Sequence, residues 1–457
     1  MSEERIHLSE HFTYRKLFKF VLPSIFMMVF ISVYGIVDGF FVSNFAGDNG
    51  MPFQALNLIY PFIMILGSVG FMLGTGGNAE VSKALGEGDE GKANKIFSML
   101  VYATVIIGIA LGLVGIFLAR PIAELFASTE KDLTAEEKAR LIDYCVIYAR
   151  IILAALPAFM LQNAFQGFFV TAEKPKLGLY VTLFAGFGNV FFDALFVVGC
   201  KWGLVGAAVA TALNQLIGGV LPLIYFANKN NSLLRLGKTK FDGKVFIKVC
   251  VNGMSELMTN ISLSVIAILY NAQLMGYIGL DGVSAYGIMQ YISFIFIGIF
   301  IGYAVGSAPI IGYHYGANNR EELRNIYTKS LKIMTGLGIL MTIAAIAFAY
   351  PLSAIFVQEE TLLKLTARGL RIYSVCFLLA GVNIFASSFF TALSNGVLSL
   401  LISFFRTFLC QAIAVIVLPL LWGVDGIWSA VIFAELFTLI LTVILFIANR
   451  KRYGYMK

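Results

Sequence analysis

Apolar runs of about 20 residues recur along the whole chain, and this feature limits the possible folds more than any other. About 20 apolar residues is the length that an α-helix needs to cross the roughly 30 Å hydrocarbon core of a bilayer. Only 13% of the 457 residues are charged, whereas soluble domains have about 25%. Spanning segments must be helices or closed barrels, because their backbone groups cannot bond to water. The runs do not alternate at every second residue, so we predict an all-α integral membrane protein.

The apolar runs predict twelve spans. Their limits are 17–46, 53–85, 96–119, 141–171, 177–199, 203–226, 244–276, 283–315, 328–350, 364–393, 397–421 and 427–449. Residues 1–16 are polar and charged, so we expect no cleavable signal peptide, and the first span itself would direct membrane insertion.

Lysine and arginine residues are unevenly divided between the two sides of these spans. If the N-terminus is inside, 23 of the 33 lie in cytoplasmic segments and eight lie in outer loops. The positive-inside rule then places both termini in the cytoplasm. Topology therefore explains the formal net charge of +7, and we expect no nucleic-acid partner. We predict a monomeric, multi-pass protein of the inner (plasma) membrane, with the lipid bilayer as its surroundings.

The two halves of the chain are related by an internal repeat. Six residues recur 230 positions later, as Gly86 does at Gly316, and five recur 220 positions later, as Gly203 does at Gly423. Each half has six spans and begins on the same side, so the repeats are parallel, as in many transporters that alternate access. We predict an N-terminal lobe over residues 1–226, a cytoplasmic linker over 227–243 and a C-terminal lobe over 244–457.

Buried polar residues distinguish the two halves. The first half has four that the second half replaces with Ile268, Leu409, Ile413 and Val431, and they are Asp38, Asn189, Asp193 and Thr211. At about 1.5 Å of rise per residue, all four lie roughly 9–15 Å below the outer surface. Two carboxylates with amide and hydroxyl oxygens would form a site for a proton or Na⁺. The alternative is a set of interhelical hydrogen bonds that only closes the bundle.

The second half has buried charges of its own, at Glu256, Arg406 and Glu435. Their similar depth from the cytoplasmic side allows Arg406 to pair with either glutamate. A structural ion pair and a substrate-binding or gating role are both open, because charges within spans commonly pair. Glu80, beside Lys83 near the cytoplasmic end of span two, is expected to be solvated or locally paired.

The motifs of enzymes and pumps do not occur in the sequence. There is no HExxH, GxSxG or Walker motif, so neither a catalytic centre nor ATP hydrolysis is predicted. The five cysteines stand singly and the three histidines are dispersed, without the spacing of a metal site. We predict a protein that is not an enzyme, has no cofactor and uses an ion gradient for any uphill transport.

Several segments together resemble a known family. They are "VDGFFVSNFAG" in span one, "ALGEGD", "FQGFFVTAEKP", "GNVFFDALFVVG" leading to "WGLVGAAVATALNQ", "AYGIMQYI" and "YHYGANNREEL". Over nearly its full length the chain resembles the multidrug and toxic compound extrusion (MATE) family, in particular its MepA-like bacterial branch. The resemblance implies two six-helix bundles, export of organic cations and other xenobiotics, and ion coupling at Asp38, Asn189, Asp193 and Thr211. Another branch has functional carboxylates on spans seven and ten, but span ten of this chain has no acid.

These observations lead to one expected function and one alternative. We expect an antiporter that exports amphipathic, often cationic drugs by alternating access, with H⁺ or Na⁺ as the coupling ion at the four first-half residues. The alternative is a lipid-linked saccharide flippase of related architecture. Such a flippase would need several arginines for a pyrophosphate, and few fall within the predicted spans.

Overall fold

The computed structural model describes residues 6–47, 50–128, 133–357 and 359–456. Arg5, Lys131 and Lys457, which were counted in the charge distribution, lie outside the described residues. The described chain is almost entirely helical. Its helices are α1 Tyr14–Phe45, α2 Met51–Gly86, α3 Glu90–Ala127, α4 Ala135–Ala154, α5 Leu156–Thr171, α6 Pro175–Gly199, α7 Gly203–Ala227, α8 Gly243–Ile278, α9 Leu280–Gly316, α10 Arg320–Ala347, α11 Ala349–Ala354, α12 Glu360–Ala392, α13 Gly396–Trp422 and α14 Val424–Tyr453.

Membrane-spanning length and apolar composition are found in eleven of the described helices. The pair α4 and α5 provides a twelfth span if its two parts, which meet at 56°, cross the membrane together. The prediction of an all-α membrane protein is thereby confirmed, and the described helices give eleven spans, or the predicted twelve if the bent pair is one span. The helices are longer than the predicted spans at most ends, because polar first and last turns continue the helix beyond the apolar run.

The break between α4 and α5 has a physical cause in Pro157, the second residue of α5. Proline has no backbone N–H and its ring clashes with the preceding turn, so the helix bends there. The second half has a tighter 3₁₀ turn at Ser374–Cys376, about 220 positions after the break. Phe377 occupies the place of Pro157, and the helix continues through it. The two halves thus share the position of the irregularity but not its sharpness.

The repeat is also visible in the backbone angles. Gly203 and Gly423, 220 positions apart, have φ of 55° and 56°. Gly88 and Asn318, 230 positions apart, have φ of 80° and 54°. Positive φ is a left-handed conformation that glycine and asparagine tolerate better than most residues. Equivalent turns of the two halves therefore have residues that tolerate a positive φ.

Contacts divide the described chain into two compact units. The Asp193 unit comprises Phe30–Val81 and Glu90–Gly253, and the Arg406 unit comprises Met1–Val29, Ser82–Asp89 and Met254–Lys457. The Asp193 unit has α3–α7, the second half of α1, most of α2 and the beginning of α8. The Arg406 unit has α9–α14 and most of α8, together with the beginning of α1 and the end of α2.

Within the Arg406 unit, the ends of α2 and α9 cross without intervening side chains. A Cβ at Gly86 would overlap the Tyr313 carbonyl, and one at Gly316 would overlap the Lys83 carbonyl. These two contacts are equivalent in the repeat, because Gly316 is the repeat partner of Gly86 and Tyr313 is the repeat partner of Lys83. Small residues permit such a close approach of two membrane helices. The crossing is thus a symmetric feature of the duplicated fold.

Candidate functional site

Helix α6 supplies the first two residues of the candidate site. Asn189 and Asp193 are four residues apart, so they lie on one face of the helix, and they are 1% and 0% exposed. Directly after Asp193 the helix changes to a π-helical turn at Ala194–Gly199. Such turns are rare in proteins, and those that do occur are often found at functional sites. The carboxylate is therefore fully buried in the Asp193 unit, at a local irregularity of its helix.

Helices α1 and α7 bring the other two residues to the same place. The Thr211 hydroxyl donates a hydrogen bond of 3.3 Å to Oδ1 of Asp38. The carboxyl groups of Asp38 and Asp193 lie close enough for their charges to interact, so a bound proton or cation would relieve their repulsion. The structure therefore brings together Asp38, Asp193 and Thr211, with Asn189 one turn away on α6.

The Asp193 carboxylate has no internal hydrogen-bond partner. Among the described residues, no donor reaches either of its oxygens, and Nδ2 of Asn189 also has no acceptor. A buried carboxylate without partners costs several kcal/mol unless it is protonated or binds a cation. The donor set of carboxylate, amide and hydroxyl oxygens therefore fits a proton or Na⁺. In a site of this kind the protein supplies the oxygen ligands, and a bound cation supplies the positive charge.

Two tyrosines complete the surroundings of the carboxylates, and our sequence reasoning missed both. The Tyr148 hydroxyl is within hydrogen-bond reach of Thr211, and Tyr34 lies beside Asn214 and near Asp38. Tyr34 is one turn before Asp38, and Asn214 is one turn after Thr211. Helical spacing from Asp38 and Thr211 could therefore have indicated Tyr34 and Asn214. Tyr148 on α4 had no such signal in the sequence.

Two of the charges predicted in the second half, Arg406 and Glu435, belong to a connected network in the Arg406 unit. Nε of Arg406 is 3.3 Å from Oε1 of Glu435. The Asn383 amide donates to the other oxygen, Oε2, at 2.7 Å, and the Thr442 hydroxyl donates to Oδ1 of Asn383 at 3.0 Å. Glu435 thus has the Arg406 cation near one oxygen and the Asn383 amide bonded to the other, while Nε of Arg406 itself forms no hydrogen bond among the described residues. Of the two pairings open in the sequence, the structure has Arg406 with Glu435.

Glu256 stands apart from this network. Glu256 interacts electrostatically with Arg406 over a longer distance, but its side chain forms no ion pair within the described part of the chain. Arg406 lies on a second π-helical turn, Phe405–Leu409. Both buried charge clusters therefore adjoin a π-helical turn.

The expectation for Glu80 was wrong. Glu80 is buried, and its carboxylate is bound by Nζ of Lys248 on α8 at 2.7 Å rather than being solvated or paired with Lys83. Lys83 instead lies 3.9 Å from Glu87. Sequence distance hid the correct partner, because Lys248 is 168 positions away.

The described helices, together with the family match and the named relatives given next, define a multi-pass membrane transporter. The family model MatE matches residues 23–195 and 257–417. The chain therefore belongs to the MatE family.

Relatives with assigned names agree with this membership. The chain is 22% identical to a multidrug export protein MepA of Staphylococcus saprophyticus, over 94% of this chain and 91% of that one. It is also 22% identical to MepA of Staphylococcus haemolyticus, over 98% and 97% of the two chains.

Solved structures show the same fold at low identity. A MATE structure in complex with MaL6 superposes with a TM-score of 0.86 at 19% identity, covering 96% of both chains. An outward-facing multidrug resistance MATE transporter of the MOP superfamily has a TM-score of 0.84 at 20% identity, over 96% and 95% of the chains. A MOP superfamily transporter from Pyrococcus furiosus has a TM-score of 0.85 at 19% identity, with the same coverage.

Proposed function

We propose that the chain is a cation-coupled multidrug efflux antiporter that exports amphipathic, often cationic compounds by alternating access. The observation that carries the proposal is the fully buried Asp193 carboxylate, which faces Asp38 and has no hydrogen-bond donor among the described residues. The names of the MepA relatives, multidrug export proteins, support the choice of cargo.

The four first-half residues have distinct roles in this proposal. Asp38 and Asp193 hold the charge of the coupling ion, H⁺ or Na⁺. Thr211 orients Asp38 through its hydrogen bond, and Asn189 supplies a neutral amide one turn from Asp193. Binding of the ion cancels one negative charge of the carboxylate pair and so weakens the attraction of the pair for a cationic drug. Mutual exclusion of ion and drug is a negative coupling between two ligands, and such coupling is reciprocal.

The membrane orientation is part of the proposal. We place the protein in the inner (plasma) membrane as a monomer, with both termini in the cytoplasm, because most of its lysines and arginines then lie on that side. Inflow of the ion down its gradient would then drive export of the drug.

The test is efflux of a fluorescent lipophilic cation from proteoliposomes under either an imposed Na⁺ gradient or an imposed pH gradient. Wild-type protein should transport under one of them, which identifies the ion, and Asp193→Asn should not. Asp281→Asn makes the same chemical change at an exposed position and serves as the control. Normal gradient-driven efflux by correctly inserted Asp193→Asn would show that the proposed coupling site is wrong.

The flippase alternative is less well supported. A pyrophosphate-linked lipid needs free cationic groups, and the positive charge of Arg406 is already balanced by Glu435. We therefore retain the antiporter as the proposed function.

A further inference from the structure

The segment between α7 and α8 is bound to α3 along its length. We call residues 228–242 the strap. The side chain of Asn94 on α3 accepts from the Arg235 amide at 2.6 Å and donates to the Leu233 carbonyl at 3.3 Å. The strap therefore begins its course fixed to the first turn of α3, within the Asp193 unit.

Further bonds continue the attachment toward the membrane. The Gly237 amide donates to the Ser98 hydroxyl at 3.0 Å, and the Tyr102 hydroxyl donates to the Gly237 carbonyl at 3.2 Å. Thr239 donates to the Lys95 carbonyl at 3.0 Å. Asn94 and Tyr102 are eight residues apart, which is about 12 Å along a helix. The strap, which lies almost entirely within the predicted linker 227–243, is thus a fixed part of the Asp193 unit.

Tyr102 indicates the depth that the strap reaches. It is the first of a row of exposed apolar side chains on α3 that continues through Ile106, Ile109, Leu113 and Phe117. Such a row is the lipid-facing surface of a membrane helix, and tyrosine at its end is typical of the interface with the headgroups. Gly237, which is bonded to Tyr102, therefore lies at headgroup level.

Exposed cations are concentrated on and beside the strap. No carboxylate of the described residues forms an ion pair with them, and they are Lys95, Lys229, Arg235, Lys238, Lys240 and Lys244. The acid of this segment, Asp242, accepts from the backbone amides of Lys244 and Val245 and so caps α8. Phe241 is 68% exposed beside the lysines. An aromatic ring among cations at the membrane boundary is typical of an interfacial anchor.

We propose that the strap is a binding site for the phosphate headgroup of an anionic phospholipid. Clustered lysines and arginines next to a membrane helix attract anionic lipids, and ammonium and guanidinium groups form charge-assisted hydrogen bonds with phosphate. Topology alone requires positive charge on one side of the membrane. It does not require that the charges be held by hydrogen bonds at headgroup depth.

The test is lipid binding to the purified full-length protein, measured by native mass spectrometry with phosphatidylglycerol and phosphatidylcholine at equal concentrations. Wild-type protein should retain phosphatidylglycerol preferentially. The variant Lys238→Gln/Lys240→Gln/Lys244→Gln should bind it more weakly, by roughly five-fold for each cation removed. Wild-type binding by this variant would overturn the proposal, and so would displacement of the lipid by millimolar inorganic phosphate, since the ligand would then be a free anion.

Two further variants separate position from charge. Arg450→Gln/Lys451→Gln/Arg452→Gln removes three cations from the end of α14, on the same predicted side, and should bind phosphatidylglycerol as the wild type does. An equal loss in this control would show that total charge, and not the strap, binds the lipid. Asn94→Ala keeps every cation but removes the first two hydrogen bonds between the strap and α3. It should also weaken binding, and an unchanged affinity would contradict the role of the fixed geometry.

Discussion

The two buried charge clusters of this duplicated chain differ in how well the protein itself satisfies them. In the Arg406 unit, Glu435 has a cation at one oxygen and the Asn383 amide at the other. In the Asp193 unit, Asp193 has another carboxyl as its neighbour and no donor within the described chain. One cluster pairs its carboxylate with a cation of its own, whereas the other is balanced only by an added positive charge.

This difference indicates which cluster exchanges a ligand. A buried ion pair resists change, because removing one partner leaves the other buried and unpaired. An incompletely bonded carboxylate pair gains free energy whenever a cation binds, so its occupancy responds to the ion concentration. Structural and coupling roles are therefore divided between equivalent halves of one fold.

The π-helical turns explain why two residues at equivalent positions of the sequence repeat lie on different faces of their helices. In α6 the π-helical turn follows Asp193, but in α13 it precedes Ile413. One extra residue in a turn rotates everything after it by about 100°, since a helix has 3.6 residues per turn. Accordingly Asp193 is 0% exposed and its repeat partner Ile413 is 55% exposed.

The largest expected effect is loss of ion coupling in Asp38→Asn or Asp193→Asn, with Glu435→Gln for comparison. The first two variants should abolish gradient-driven efflux, because a neutral amide cannot exchange charge with the coupling ion. Glu435→Gln should retain its dependence on the gradient even if its maximal rate falls. Efflux at several gradient strengths distinguishes these outcomes, and loss of gradient dependence in folded Glu435→Gln would break the comparison.

The sequence predicted much of this arrangement, because its evidence was local or periodic. Apolar runs located the spans, and the repeat identified Asp38, Asn189, Asp193 and Thr211 as polar exceptions. Depth could be counted in residues, so neighbours were expected in each half, and the structure brings Thr211 to Asp38 and Arg406 to Glu435. The roles of those residues stay predictions until transport is measured.

Partner choice and helix rotation could not be predicted in the same way. Arg406 has two glutamates at similar depth, and only packing selects Glu435 over Glu256. The pairing of Glu80 with Lys248 and the attachment of the strap to Asn94 join residues that are more than 130 positions apart. No periodic signal encodes such contacts, and π-helical turns have no sequence signature that we could recognise.

Breaking the Arg406 network should have the next largest effect, this time on stability. Arg406→Met leaves Glu435 buried without its cation and should lower the free energy of unfolding by about 3–5 kcal/mol. Adding Glu435→Gln should restore most of the loss, because the amide can still bond to Asn383. Asp193→Asn removes no internal bond and should leave the unfolding temperature unchanged or higher. Thermal unfolding of the purified proteins compares all three, and equal destabilisation by Arg406→Met and Asp193→Asn would remove the distinction between the clusters.

The glycine crossing provides a test of the symmetry that the clusters lack. Gly86→Ala and Gly316→Ala each place a methyl group against a backbone carbonyl and should each cost about 1–3 kcal/mol. Because the two contacts are equivalent, the two costs should agree within the error of the thermal unfolding measurement. Gly336→Ala, on α10 with open space around its Cβ, is the matched control and should stabilise the helix slightly. Clearly unequal costs at Gly86 and Gly316 would mean that the crossing is not symmetric.

The smallest expected effect concerns Thr211 and its repeat partner Val431, which differ by one hydroxyl of nearly the same shape. Thr211→Val removes the hydrogen bond to Asp38 and should cost about 1 kcal/mol, or roughly a five-fold higher ion concentration for half-maximal transport. Val431→Thr places a hydroxyl at the equivalent buried position of the second half, where it has no coupling carboxylate to orient, and should leave the ion dependence unchanged. Efflux measured against ion concentration resolves a shift of this size. If both substitutions shifted the ion dependence equally, the hydroxyl would act through helix packing that is common to the two halves. Orientation of Asp38 would then no longer explain why the polar residue occurs in one half alone.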